Sequence, residues 1–248
     1  MFNHLKGITY FNQKYYIADS ENHIIRAINA TNYVTTFSGT GYAGKFDGPS
    51  DQTLFNYPTC LVADSKGNLF VAEFYNCDVR KISPDGSVET FAGSSCGYRD
   101  GYGVNAKLSA IFGIAIDEND DLWIAEYHNN YVRKILHDTR QVITIAGSGV
   151  AGYKDGVGSN VQFTYPAQIN MAKNGDILMA DSFSNRIRRV TRDGVVSTVA
   201  GTDIADIRDG YTDKCFLKYP IGVIEDPNDS NIIYVTEYGS TFSERVKV

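Results

Sequence analysis

Asn68-Leu69-Phe70-Val71-Ala72-Glu73, followed by Asn76, by Val79-Arg80-Lys81-Ile82 and by Thr90-Phe91-Ala92-Gly93, decides the fold, because the same order of residues returns along the chain. Thr36-Phe37-Ser38-Gly39, Thr90-Phe91-Ala92-Gly93, Thr144-Ile145-Ala146-Gly147 and Thr198-Val199-Ala200-Gly201 stand 54 residues apart at every step. In phase with them run Ile17-Ala18-Asp19, Val71-Ala72-Glu73, Ile124-Ala125-Glu126 and Met179-Ala180-Asp181, with a weaker Val235-Thr236-Glu237. Arg26, Arg80, Arg133 and Arg188 each follow the first four acids by seven residues. Asp47-Gly48, Asp100-Gly101, Asp155-Gly156 and Asp209-Gly210 form a third series. A fourth is an aromatic or Leu ahead of a proline: Phe55 and Pro58, Phe163 and Pro166, Leu217 and Pro220, with Leu108 and Ile111 as the variant. A fixed period of this length means a repeat architecture in which each unit buries its faces against its neighbours.

One repeat reads as four strands. In the third copy Ile114-Ala115-Ile116 is strand A, Leu122-Trp123-Ile124-Ala125 is B, Tyr131-Val132-Arg133-Lys134-Ile135 alternates as C, and Val142-Ile143-Thr144-Ile145 is D. Glu118-Asn119-Asp120 and His137-Asp138-Thr139 make the turns, and Asp85-Gly86 and Asp193-Gly194 occupy the C–D turn in the second and fourth copies. Four-stranded antiparallel units with two faces to cover stack radially, which predicts an all-β propeller of five blades. Repeats are expected at about 2–54, 55–107, 108–162, 163–216 and 217–248 of a single domain, 1–248. The last is incomplete, since Val248 falls within strand C, and Phe2-Asn3-His4-Leu5 aligns with Phe55-Asn56-Tyr57-Pro58 at the start of a strand A. Strand C of the last blade is therefore expected as an open edge over 242–248, to be covered by a second copy, a partner peptide or a downstream segment.

Asn68-Leu69-Phe70-Val71-Ala72-Glu73 with Asn76 and Val79-Arg80-Lys81-Ile82 resembles the NHL repeat, as do Asp121-Leu122-Trp123-Ile124-Ala125-Glu126 with Asn129 and Val132-Arg133-Lys134-Ile135. The insert carrying Gly44, Asp47-Gly48, Phe55 and Pro58 is similar to the long-period variant of that family. The resemblance spans nearly the whole chain and implies a β-propeller. It does not name a function, since NHL propellers include protein-binding, RNA-binding and catalytic members.

The remaining signals narrow the function. The net charge of −6 and the pI of about 5.2 count against a nucleic-acid partner. Arg99, Lys154 and Arg208 each precede an Asp-Gly acid, which makes a poor phosphate clamp. No apolar run is long enough to span a bilayer and no leader peptide is visible, so no membrane partner is expected and the cytoplasm is favoured. The pairs Asp19–Arg26, Glu73–Arg80, Glu126–Arg133 and Asp181–Arg188 recur in four copies, which is the mark of structural ion pairs rather than of catalysis. Neither a metal nor another cofactor is expected: the histidines are only His4, His23, His128 and His137, and aligned strand-A positions offer Thr9, Val62, Ala115, Asn170 and Ile224. Catalytic residues are likewise absent from the expected inventory, because no nucleophile–base pair or phosphate loop is seen.

What differs between copies is the B–C loop, rich in rings: Phe74, Tyr75, Tyr127, His128, Phe183 and Tyr238. Aromatic side chains supply interface anchors. These observations predict a non-enzymatic scaffold that holds a protein or peptide on the face of the B–C loops and D–A connections. The alternative is a hydrolase or lyase acting on a small molecule or glycan at the tunnel mouth. Cys60, Cys77 and Cys96 map near one face of the second repeat, where two of them could pair in a disulfide, with free thiols in a reducing compartment the favoured expectation; Cys215 lies in the fourth repeat.

Overall fold

A computed structural model describes residues 1–238 and the backbone of 244–247. Among the described residues the structure is strands joined by turns and four three-residue 3₁₀ segments. The first sheet holds β1 (Leu5–Phe11), β2 (Lys14–Asp19), β3 (Ile24–Ile28) and β4 (Val34–Ser38), and the second holds β5 (Pro58–Ala63), β6 (Leu69–Glu73), β7 (Asp78–Ile82) and β8 (Val88–Ala92). Each runs in sequence order with antiparallel neighbours. The two-residue β9 (Gly101–Tyr102) precedes β10 (Ile111–Ile116), β11 (Leu122–Glu126), β12 (Tyr131–Ile135) and β13 (Gln141–Ala146). Next come β14 (Gly156–Val157), β15 (Pro166–Met171), β16 (Ile177–Asp181), β17 (Arg186–Val190) and β18 (Val195–Gly201), then β19 (Pro220–Glu225), β20 (Ile232–Glu237) and β21 (Glu244–Lys247).

The chain divides into two compact units, Met1–Leu122 with Ile135–Ile143, and Trp123–Lys134 with Thr144–Val248. The first unit contains sheets one and two, whose facing side chains form a common core of Tyr16, Ile25, Phe55, Leu61, Val71 and Ile82 among others. In the second unit β19 packs on β15 and β16, and Phe163, Met179, Ile187, Leu217 and Ile233 are buried. Burying apolar strands such as Leu69-Phe70-Val71-Ala72 on both faces explains why B strands read as continuous hydrophobic runs. The last sheet has three strands in the order β19-β20-β21. Of the edge expected over 242–248, residues 242, 243 and 248 and the side chains of 244–247 lie outside the described residues.

The four-strand reading of a repeat is corrected at two places. Sheets three and four have five strands, because β9 pairs with β13 and β14 pairs with β18. In the second repeat the matching position forms a single bridge, Gly48 to Val88. The insertion that leaves one repeat thus runs along the outermost strand of the next, whose unpaired N–H and C=O groups accept it. A two-residue pairing is too short to leave an alternating pattern, so sequence periodicity could not show it.

The glycine of the Thr-x-x-Gly signature also has its cause here. Gly39, Gly93, Gly147 and Gly201 have φ of 101°, 91°, 115° and 91°. A Cβ at any of them would lie within 2.9 Å of the carbonyl oxygen of His23, Cys77, Asn130 or Asn185. The period of 54 is read so clearly at this residue because no side chain fits there.

Candidate functional site

Each of the first four repeats centres on a buried acid. Asp19 accepts hydrogen bonds from the Asn3 amide (2.8 Å), Asn22 Nδ2 (2.9 Å) and Arg26 Nε (3.0 Å). Glu73 accepts from Asn76 Nδ2 (3.1 Å) and Arg80 Nη1 (3.0 Å), and Glu126 from Asn129 Nδ2 (3.0 Å) and Arg133 Nη1 (2.8 Å). Asp181 accepts from the Thr164 amide (2.7 Å) and Arg188 Nη1 (2.8 Å). In the fifth repeat Glu237 accepts from the Lys218 amide. The acid therefore ties the end of strand B to the start of strand A, to its own loop and to strand C. Arg80, Arg133 and Arg188 are fully buried. Burial pushes Asp181 up to about 6 against the pull of Arg188, and burial with the neighbouring Asp78 raises Glu73 well above the ordinary range.

The Asp-Gly acids do more than turn the chain. Asp47 Oδ1 takes Arg80 Nη2 at 2.5 Å while Oδ2 takes the Thr90 amide; Asp155 takes Arg188 Nη2 at 2.6 Å and the Thr198 amide. Each insertion is thereby clamped to strands C and D of the following repeat.

Above these acids sits a second repeating device. His23, Cys77, Asn130 and Asn185, just ahead of or opening strand C, adopt left-handed backbone with φ of 53–58°. Tyr57, Tyr165 and Tyr219, just ahead of strand A, do the same at 59°, 53° and 49°, as does His4 at 57°. The two series are hydrogen-bonded: the amide of Tyr57 donates to His23 Nδ1 (3.1 Å), that of Tyr165 to Asn130 Oδ1 (2.9 Å) and that of Tyr219 to Asn185 Oδ1 (3.2 Å). Holding a bulky residue at positive φ costs free energy and here aims a ring at the B–C loops.

The rings meet in each unit. In the second, Tyr127 lies 4.9 Å from Tyr165, Tyr165 is 4.9 Å from Phe183, Phe183 is 5.1 Å from Tyr219, and His128 packs edge-on against Tyr165 at 6.2 Å. In the first, Tyr57 touches Phe74 (6.0 Å) and Tyr75 (5.4 Å). Tyr75, Phe183 and Tyr165 remain exposed. Of the six loop residues singled out in the sequence, Phe74, Tyr75, Tyr127, His128 and Phe183 join these clusters. Tyr238 has no ring neighbour among the described residues, and only its amide, bonded to the Tyr219 carbonyl, connects it. Tyr57, Tyr165 and Tyr219 were missed, although a Tyr-Pro step repeats at 57–58, 165–166 and 219–220.

The expectation of free thiols is corrected for two of the four cysteines. Cys77 and Cys96 form a disulfide, while Cys60 and Cys215 are buried. The reading had rested on the absence of a leader, a statement about compartment; the fold instead brings the start of strand C to the D–A loop, with Cα atoms 5.1 Å apart. The second repeat is also the one whose left-handed residue has no carbonyl or ring nitrogen to offer, and the next repeat carries Ala110 where the others carry His or Tyr. The covalent bond stands where a hydrogen-bonded junction stands elsewhere.

No family model matches the chain. It is similar to SUPPRESSOR OF QUENCHING 1, chloroplastic, of Arabidopsis thaliana, at 28% identity over 72% of the chain and 18% of that protein. Human NHL repeat-containing protein 2 matches 94% of the chain at 24% identity over 36% of its own length. The chain thus spans about a third or less of these curated relatives. Among solved structures, an auxiliary nutrient binding protein from Bacteroides thetaiotaomicron superposes with a TM-score of 0.73 over 93% of this chain and 56% of that one, at 15% identity. A streptogramin B lyase does so at 0.64 over 98% and 68%, also at 15% identity. Repeated antiparallel sheets of three to five strands with these neighbours define a β-propeller fold. Relatives named NHL repeat-containing protein 2, from human, cattle and chicken, support an NHL-repeat kinship for these repeats.

Proposed function

We propose that the five repeats are blades of one propeller, and that it is a non-enzymatic scaffold holding a protein or peptide on the B–C loops and D–A connections. The observation that carries this is the strained, repeated placement of Tyr57, Tyr165 and Tyr219, which holds partly exposed rings against the loop aromatics. Rigid aromatic anchors supply contact area at low entropic cost. Immobilised chain should retain a protein from native lysate. The double variant Tyr165→Ala/Phe183→Ala should reduce retention about tenfold or more. Lys173→Ala, in the turn between β15 and β16 at the other end of that sheet, should not. Equal retention by the loop variant would sink the reading.

The alternative is a hydrolase or lyase at the tunnel mouth, in keeping with the lyase among the structural neighbours. Against it stand the histidines, which are spent on neighbours: His4 on Glu21 and Tyr57, His23 on the Tyr57 amide, His128 on Tyr165, His137 on Asp64 and Asp138. Turnover of a small-molecule ester or glycoside that a loop-face variant abolishes would favour the enzyme.

A further inference from the structure

In the first unit a run of packed rings ends on a charge. Lys6 Nζ stands 5.2 Å over the centroid of Phe112. Phe112 meets Phe74 edge-on at 6.5 Å, Phe74 meets Tyr57 at 6.0 Å, and Tyr57 meets His4 both through its ring (6.0 Å) and by Tyr57 Oη to His4 Nδ1 (3.1 Å). His4 and Lys6 are two residues apart in sequence, so both ends of this run of contacts rest on one short segment. Lys6 is half-buried, and this desolvation lowers its pKa despite the attraction of Glu21. Among the described residues no carboxylate lies within ion-pair distance of Nζ; Glu21 is engaged by His4 at 2.9 Å. The ammonium is held against a π face without an anion, at a cost that ring attraction only partly offsets.

We propose that this run of residues binds a carboxylate borne on an apolar or aromatic group, the anion meeting Lys6 and the stem lying against Phe112 and Phe74. A single ammonium matches a monoanion. Glu21 beside it and the net charge of −6 work against phosphate dianions and polyanions. The same chemistry is offered by a free organic acid or by the C-terminus of a peptide ending in an apolar residue. The second source rests on the scaffold reading above.

The test titrates the whole chain, followed by NMR or calorimetry, with 3-phenylpropanoate and its amide, and with a hexapeptide ending in Phe as free acid and as C-terminal amide. Acids should bind at least about tenfold more tightly than amides. Lys6→Met should abolish that difference, and Phe112→Ala should weaken acid and amide alike. Lys6→Gln serves as the second variant should Lys6→Met fail to fold, as judged by circular dichroism. Equal binding of acid and amide, no binding of either acid, or a difference that survives loss of the ammonium would overturn the proposal, even if a lysate partner is still retained on the loops. Binding of 3-phenylpropanoate without the peptide would uphold the carboxylate site and remove its peptide assignment.

Discussion

Asp181 shows how a repeat is held together at a single residue. Its carboxylate is fully buried with Arg188, and removing one member of such a pair strands the other. Desolvation nevertheless pushes its pKa up to about 6, above the ordinary value of 3.8. Between those values the native chain keeps a proton that the unfolded chain releases, so stability should fall as pH rises from about 4 to about 6 and then level off in this contribution. The size is at most about 3 kcal/mol. Urea unfolding of wild type and Asp181→Asn across that window isolates the effect, because other carboxylates are common to both. The wild-type advantage should shrink with rising pH; a difference independent of pH would refute the assignment. The spacing that pairs Asp181 with Arg188 is visible in sequence, whereas the second partner of Arg188, Asp155, comes from an insertion 33 residues earlier that the sequence shows only as a turn.

Between neighbouring elements, the junction from strand C to the next strand A is the unit that varies. His23, Asn130 and Asn185 accept the amide of the following left-handed Tyr; Cys77 instead binds Cys96 covalently. Closing a loop of 19 residues by a disulfide stabilises by about 3 kcal/mol in the chain-entropy account. Cys77→Ser/Cys96→Ser should lower stability by roughly that amount. Cys77→Asn/Cys96→Ser should recover part of it, since Asn tolerates positive φ and occupies this place twice already. Equal melting temperatures for the two double variants would show that the left-handed backbone at 77 is not limiting. The strands were legible because alternation and turn residues are local signals. The ring clusters were legible only in half: loop rings stand out in composition, but a Tyr before Pro reads as extended chain, and only its hydrogen-bonded amide holds it at positive φ. The disulfide was illegible because the closeness of two loops is a property of the folded repeat, not of the spacing of its cysteines.

At the scale of the molecule, charge and stability respond to pH in different ways. The chain carries −6 at neutral pH and is uncharged near 5.2. Self-repulsion, which keeps copies apart, therefore vanishes close to pH 5. Over the same range the raised pKa values of Asp181 and Glu73 make their protonation stabilise the native fold. Exposed rings such as Tyr75, Phe183 and Tyr165 remain on the surface of the native chain to make contacts once repulsion is lost. Purified protein brought to about pH 5.2 should consequently associate without unfolding. Light scattering should rise there while near-ultraviolet circular dichroism stays native. Return to neutral pH should redissolve the material with no refolding phase, and Tyr165→Ala/Phe183→Ala should reduce the scattering. Scattering that follows loss of the near-ultraviolet signal would mean that acid unfolds the chain first, and that the buried carboxyls contribute less than the depressed ones.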